Sequence, residues 1–544
     1  MSKIGQYLQQ HLSGEVVTSV DARRYFSTDA SIFSVVPSAV VYPRNENDVR
    51  KATRFTWQLA ERGRIVPITA RGSGTDQAGA ALGAGLMMVF PAHMNRIVEF
   101  DGKSGVVTVE PGINYGKLQQ TLQTHGRFLP PFPASLEYST VGGAVANNAS
   151  GELSFKYGDT REFVRSLRVV LANGEVIETS RIGKKELSKK LGLSTFEGEI
   201  YRAIDALLEE HQELVDLTAL NVTKNTAGYS LLDIKHRDGS FDLTPLFVGS
   251  QGTLGVITEI TLDTEAHNPE TSLILATFGS MEDAQAAVLD LRKMKELPAA
   301  IEMVDGHMLA IAETLNPHLL KDVIEKPLPK AVLLVAFDNP ERTQKKLVKQ
   351  ATKILQKYAA GQRLETELEG QEILAKVRNA SAMVAAHANG NAKAVPVIED
   401  GIVPVENLAE FTAKIYDLFA KAHVKPAVWG HAGDANLHMQ PYLDLGTVGD
   451  RQKAFRLMDE YYKLVVSMGG STSGEMGDGR LRAPFLPNVY GDQVYALFQK
   501  IKMVFDPYGT LNPGVKVNAT LNDIKPLMRS EYSLNHLYDH LPRL

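Results

Sequence analysis

The chain has 544 residues, too many for one hydrophobic core and sized for about three units of roughly 100–200 residues each. Hydrophobic residues make up 44% and charged residues 22%, an ordinary globular balance, and a net charge of −5 with scattered Lys and Arg excludes a nucleic-acid-binding stripe. The absence of cysteine excludes disulfides, thiol nucleophiles and a cysteine-held iron–sulfur cluster on this chain.

Residues 1–37 predict a helical lead-in, and its first residues, Met1 to Gln6, lack the apolar stretch and cleavage site of a signal peptide. From 39 to 262, short β-branched runs (39–42, 64–69, 105–109, 167–171, 254–262) alternate with helical periodicity (46–62, 115–125). This is an α/β or α+β pattern in two strand clusters. Asn45 or Asn47 stands where the helix after Pro43 needs a cap. The polar stretch 263–270 marks a boundary. Beyond it the order strand (271–278), helix (280–295), strand (299–305), strand (330–337), helix (341–358) suggests a ferredoxin-like antiparallel sheet with helices on it. No run reaches the roughly 18 apolar residues that span a bilayer, so a cytoplasmic location is expected. The modestly amphipathic 527–544 reads most simply as a helix packed on its own protein, with peripheral docking at an inner membrane as the alternative.

Three loops in this frame are rich in glycine. The first holds Arg71, Gly72, Ser73, Gly74, Thr75 and Gly79 behind the apolar Ile65, Val66 and Ile68. The second follows a rigid approach ending at Pro133 and holds Ser139, Thr140, Gly142, Gly143, Asn147 and Ser150. The third runs from Gly249 through Gln251, Gly252, Gly255, Val256 and Ile257. Glycine lets the backbone approach a ligand, and successive N–H groups make an anion-binding nest. Arg71 adds a fixed positive charge suited to phosphate. No Gly-Lys-Ser/Thr follows any loop and no G-x-G-x-x-G joins a strand to a helix, which excludes a P-loop and the ordinary dinucleotide fingerprint. Three such loops suit a long, flat, phosphate-bearing cofactor.

In order and spacing these loops resemble the FAD-binding domain of the vanillyl-alcohol-oxidase flavoproteins. The resemblance implies an α+β chain. A two-subdomain PCMH-type FAD-binding domain would occupy 38–265, a ferredoxin-like cap carrying the substrate 266–500, and a segment returning to the flavin 501–544. It implies that Arg71 to Thr75 and Ser139 to Gly143 embrace the FAD pyrophosphate, with Asn147 and Ser150 near the flavin. Gly79, Pro133, Gly252, Gly255, Val256, Ile257 and Asn512 complete the expected cofactor-binding set. Some relatives attach FAD through a His or Cys in these loops. Here Thr75 and Asp76 stand in the first loop and cysteine is absent, so the FAD is expected to be non-covalent.

A second constellation lies downstream. His431 and His438 flank a turn-prone Ala-Gly-Asp-Ala, and a hairpin there would bring both imidazoles to one side. Glu475 sits in the glycine-flanked loop 469–479. Two His and one carboxylate suit a divalent ion with open positions, although two His seven apart read more plainly as ordinary hydrogen-bonded histidines.

Read with the flavin loops, Gly430-His431, Gly433-Asp434, Asn436 to His438, Gly474-Glu475, Gly477 to Gly479 and Asn512 to Gly514 look like the FAD-linked D-2-hydroxyacid dehydrogenases. These include D-lactate and D-2-hydroxyglutarate dehydrogenases and the flavin subunit of glycolate oxidase. The likeness spans about residues 20–517. It implies that Arg378 and Lys393 bind the substrate carboxylate. It implies that Zn²⁺ or Mn²⁺ on His431, His438 and Glu475 activates the hydroxyl, with hydride passing to flavin N5. Arg378, Lys393, His431 and Glu475 are thus the expected catalytic set, and Gln440 stands close by in sequence. A quinone, an electron-transfer protein or a separate iron–sulfur subunit would take the electrons; a homodimer through a cap face would leave no sequence mark.

Two positions depart from the family pattern. Gln251 replaces a usual Glu, and Met476 replaces the His that follows the metal-binding Glu and is held to be the base. A thioether takes no proton, and general-base help is worth ~10²–10⁴-fold in rate. The ion could acidify the hydroxyl enough for water or Glu475 to serve, or His387 could replace the base. In a third reading the chain has lost the reaction and is a flavin-binding electron-transfer subunit beside a separate iron–sulfur protein.

Overall fold

The computed structural model describes residues 3–386, 388–424 and 428–534. A four-stranded sheet has the order Glu15–Val17, Ala39–Tyr42, Leu86–Val89, Ile68–Arg71, the last three strands running parallel. Val40, Val41, Met87 and Met88 are fully buried, as parallel strands covered on both faces require. The expected helical lead-in holds one strand as well: helices Lys3–His11 and Val20–Tyr25 bracket Glu15–Val17, which joins the sheet edge antiparallel to Ala39–Tyr42. Three residues with only Val16 buried carry no periodic signal, so the strand is created by its tertiary partner. Helix Glu46–Ala60 is capped by Asn45, whose side chain accepts from the Asp48 N–H.

A five-stranded antiparallel sheet follows, ordered Ile97–Asp101, Val106–Val109, Val256–Asp263, Val164–Val170, Val176–Thr179. Its central strand alternates strictly, with Val256, Thr258, Ile260 and Leu262 buried. Helix Leu486–Phe505, broken at Gly491, lays Val494, Leu497, Phe498, Ile501 and Phe505 into this sheet's core. The chain then returns to the first sheet, where Ile68 N–H donates to Thr510 (2.7 Å) and Asn512 N–H donates to Ile68 (2.9 Å).

The third sheet is antiparallel and six-stranded, ordered Gly361–Glu365, Ser272–Phe278, Ala331–Phe337, Ala300–Asp305, Val428–His431, Asn436–Met439. The first four strands, with helices Met281–Leu291 and Glu341–Leu355, form the β-α-β-β-α-β unit of ferredoxin-like folds. A hairpin over 428–439 extends it. Those two helices and Leu408–Ala422 cover one face, and Gly306–Leu315 and Leu368–Ala386 the other. The expected α+β class with an antiparallel cap is therefore the fold observed. Among the described residues no helix is long and apolar enough to cross a membrane. Most of the amphipathic 527–544 lies outside them.

Candidate functional site

The added hairpin explains how two histidines seven residues apart meet. Trp429 pairs with His438 and His431 with Asn436, so both imidazoles share one sheet face. On the neighbouring strand Glu302 is the register partner of His431 and presents its carboxylate on that face. Glu302 accepts from His431 Nδ1 (2.6 Å), and Glu399 accepts from His438 Nδ1 (2.6 Å). With both Nδ1–H groups given to carboxylates, the Nε2 atoms are acceptors, yet they lie 3.2 Å apart. Oε1 of Glu475 joins them at 3.3 Å from His431 Nε2 and 3.1 Å from His438 Nε2. Three acceptors thus converge with no donor between them, which is the donor set a cation completes. The same logic governs a proton. Burial works against a charged His438, but its bonds to Glu399 and Glu475 and the charge of both carboxylates pull its pKa up to about 10. Burial likewise opposes the Glu302 charge, but His431 and Arg378 hold that carboxyl down to about 2.

Glu475 is held from behind. Its own N–H and that of Met476 donate to the buried Asp400 carboxylate at 3.0 and 2.8 Å, and Ser473 Oγ does so at 2.6 Å, which shapes the glycine-rich loop. Oε2 accepts from Lys224 Nζ (2.9 Å), Ser150 Oγ (2.8 Å) and Gly151 N–H (3.0 Å). Burial would raise the Glu475 pKa, but Lys224 and His431 hold it well below the usual carboxylate range. One carboxylate therefore joins the second glycine loop to the histidine pair.

These groups open onto a cavity of about 560 Å³. One side is built from the three glycine loops and includes Gly72, Ser73, Gly74, Thr75, Pro133, Thr140, Gly142 and Gly255. The other carries Arg378, His431, His438, Glu475, Gln440 and Met476. The glycine side fits a ligand drawn close to backbone. A Cβ on Gly252 would meet nothing nearer than Ala70 at 4.0 Å, and one on Gly143 nothing but Thr140 Oγ1, so the missing side chains are missing on the cavity side. Ser139 also lines the cavity, and its Oγ is buried with no hydrogen-bond partner among the described residues.

Several expected residues act otherwise than the sequence suggested. Arg71 reaches the cavity; its Nη2 and Nη1 donate to the carbonyls of Thr28 (2.8 Å) and Ala81 (3.3 Å), and its Nε is buried with no partner among the described residues. Gly79, Val256 and Asn512 do not line the cavity. Strand alternation turns Val256 into the core and Ile257 toward the cavity, while Gly79 makes a tight turn at φ 78°. Asn512 Nδ2 donates to Ala80 and Gln251, both at 2.8 Å, binding the first and third loops together. Asn147 and Ser150 line the cavity while serving other groups, Asp76 and Glu475. Lys393 is corrected outright. It lies on the short strand Ala392–Ala394, donates to the Tyr532 carbonyl at 2.7 Å, and is not among the cavity-lining residues. His387 lies outside the described residues. Glu302, Lys224 and Glu152 escaped sequence reasoning; only Glu302, a carboxylate inside an apolar strand run, carried a signal.

Residues 37–180 match the FAD binding domain family, and residues 267–515 the C-terminal domain of FAD linked oxidases. The chain is 30% identical over 510 residues to glycolate oxidase subunit GlcD of Bacillus subtilis (strain 168), covering 92% of each protein. It is 29% identical over 507 residues to D-lactate dehydrogenase of Archaeoglobus fulgidus, covering 92% of this chain and 96% of that one. It is 30% identical over 520 residues to D-2-hydroxyglutarate dehydrogenase of Escherichia coli (strain K12), covering 93% of this chain but 50% of that protein. The chain thus spans about half the length of the D-2-hydroxyglutarate dehydrogenases it matches. Among solved structures, 4-ethylphenol oxidase from Gulosibacter chungangensis superposes with a TM-score of 0.69 at 16% identity, covering 96% of this chain and 99% of that one. Substrate-bound p-cresol methylhydroxylase gives 0.69 at 15%, covering 96% and 97%. These two likenesses concern the fold alone.

Proposed function

Because the chain belongs to the FAD-linked oxidase family, we propose that it oxidises a D-2-hydroxy acid to the 2-keto acid, with non-covalent FAD and a divalent ion, Zn²⁺ or Mn²⁺, on His431, His438 and Glu475. The observation carrying this is the opening of Arg378 and the three-ligand cluster onto the same cavity as the glycine loops. The names of the D-lactate and D-2-hydroxyglutarate dehydrogenase relatives support the substrate class. Non-covalent attachment is supported by the absence of cysteine and by cavity histidines whose Nδ1 atoms already face carboxylates.

When bound, FAD supplies a two-electron acceptor and the divalent ion a Lewis acid. The chain supplies position and charge. Arg378 gives Nε to Glu302 (2.7 Å) and Nη1 to Ser381 (3.1 Å), which fixes the guanidinium plane; Nη2, with no partner among the described residues, is the donor for a substrate carboxylate. Glu302 serves Arg378 and His431 at once, so carboxylate recognition and the ligand cluster share one anchor. Phe132 and Trp429 form apolar walls that exclude water from the reacting bond.

The test is anaerobic mixing of the FAD-loaded protein with D- and L-2-hydroxy acids while the oxidised flavin band is followed. Bleaching by a D acid and not its L enantiomer is expected, and its loss after chelation supports the ion. A flavin that dithionite bleaches but no hydroxy acid does would refute the reading. A second reading, a flavin-binding electron-transfer subunit, is favoured by the word subunit in the name of the Bacillus subtilis relative. Co-purification of a cysteine-rich partner, with no bleaching by the chain alone, would select it.

A further inference from the structure

Oxidation of an alcohol must dispose of the hydroxyl proton, and the cavity offers few groups to take it. Met476 presents a thioether. Glu475 is held ionised by Lys224 and the histidines, with both oxygens occupied. Asp76 is bonded by Asn147 and by the N–H groups of Ala78 and Ala80, and Glu399 by His438 and Gln440. Glu152 also lines the cavity, and it has no hydrogen-bond or ion-pair partner among the described residues. Its place is fixed from one side, since the preceding Gly151 N–H and Ser150 Oγ are pinned to Glu475 Oε2. The charged groups acting on it are Glu302 from strand Ala300–Asp305, Arg378 from helix Leu368–Ala386 and His431 from the hairpin. Burial and Glu302 push the Glu152 pKa up, against the pull of Arg378 and His431, which favours a carboxylate that accepts a proton readily.

We propose that Glu152 is the catalytic base that takes the α-hydroxyl proton of the substrate. This rests on the hydroxy-acid reading above. As the O–H bond breaks, its electron pair closes the C=O bond. The Cα–H pair leaves with its hydrogen for the flavin, so the substrate loses two electrons and the flavin gains two. The proton remains on Glu152 as the carboxylic acid and passes to solvent as the product leaves.

The experiment compares anaerobic flavin bleaching by D-lactate and D-2-hydroxyglutarate in wild type, Glu152→Gln, Glu152→Asp and Glu152→Ala, each with its FAD content measured. A fall of about 100-fold or more is expected in the Gln and Ala variants at full FAD content, with partial activity for Asp. Formate added to Glu152→Ala should restore bleaching, because a free carboxylate can occupy the emptied position; a structural role would show no such rescue. Pyruvate titration reads the same group without turnover. Its Kd should tighten toward low pH in wild type, where protonated Glu152 donates to the ketone, and lose that dependence in Glu152→Gln. A fall smaller than about tenfold, or a larger one that formate leaves unchanged, overturns the proposal. Wild-type protein that no acid of the full D-2-hydroxy-acid panel bleaches overturns the hydroxy-acid reading and this role with it, whereas wild-type bleaching matched by Glu152→Gln overturns the role alone.

Discussion

Lys224 is a buried cation whose removal tests how Glu475 is held. Its ammonium lies 2.9 Å from Glu475 Oε2, 3.1 Å from Ser150 Oγ and 3.2 Å from Ser154 Oγ, and the Lys224 and Glu475 side chains are only 5% and 12% exposed. Lys224→Met keeps most of the volume and takes the ammonium from Glu475 Oε2, leaving only the histidines on Oε1 as charged partners. Removing one partner of a buried ion pair costs about 3–5 kcal/mol. Ser150 Oγ and the Gly151 N–H remain on Oε2, which places the loss near the lower end, at about 3 kcal/mol. For a cooperative unit of ordinary domain size this is a drop of roughly 6–12 °C in Tm. The assay is thermal unfolding of FAD-loaded, metal-free protein at neutral pH, followed by titration with Mn²⁺. Stability and metal affinity should move in opposite directions, since the lost positive charge no longer opposes a second cation at Oε1. A variant melting within about 1 °C of wild type, with unchanged Mn²⁺ affinity, would sink the reasoning.

Glu302→Gln keeps the shape of the anchor and removes its charge, so Mn²⁺ or Zn²⁺ should bind about 10–100-fold more weakly, read by competition with a chelating dye. The metal-free site should show a characteristic pH response. His438 rises from 6.5 to about 10 in the fold, so its contribution to stability is complete below 6.5 and is lost as pH climbs through 10. Metal-free protein should therefore lose Tm across that window, and calorimetry in buffers of different ionisation enthalpy should detect proton release when the ion binds at neutral pH; binding without proton release would refute the assignment. Gly252→Val, at φ 72° on the cavity wall, should abolish FAD retention while far-UV circular dichroism stays that of wild type.

Much of this site is legible in the sequence because its signals are local. Glycine runs beside apolar strands, a turn between two histidines and a carboxylate among glycines each sit within about a dozen residues of sequence. The cap was legible for the same reason, its strands and helices being long enough to show their periods. What stayed hidden is non-local. Glu302 meets His431 across 129 residues and Lys224 meets Glu475 across 251, and no spacing rule links them. Lys393 failed differently. Its charge invited a substrate role, but a lysine has four rotatable carbons and goes to the nearest acceptor, here the Tyr532 carbonyl. Arg71 lies in the cavity wall, and the carbonyls that hold its Nη1 and Nη2, Ala81 and Thr28, are likewise beyond any local pattern.

The pairing of Ile68 with 510–512 has a consequence for the order of events in synthesis. Thr69 and Asn512, bonded at 3.1 Å, are 443 positions apart, and Asn512 also ties the first glycine loop to the third. A nascent chain releases its N-terminal sheet early, but the edge beside Ile68 must wait until residues 510–512 have emerged. At roughly 5–20 residues per second the wait is on the order of half a minute or more. Throughout that time the Ile68–Arg71 strand offers an unpaired edge, the kind of feature that recruits wrong partners. Such a protein gains from a chaperone that covers the edge, and the first and third glycine loops are tied together only once Asn512 has emerged.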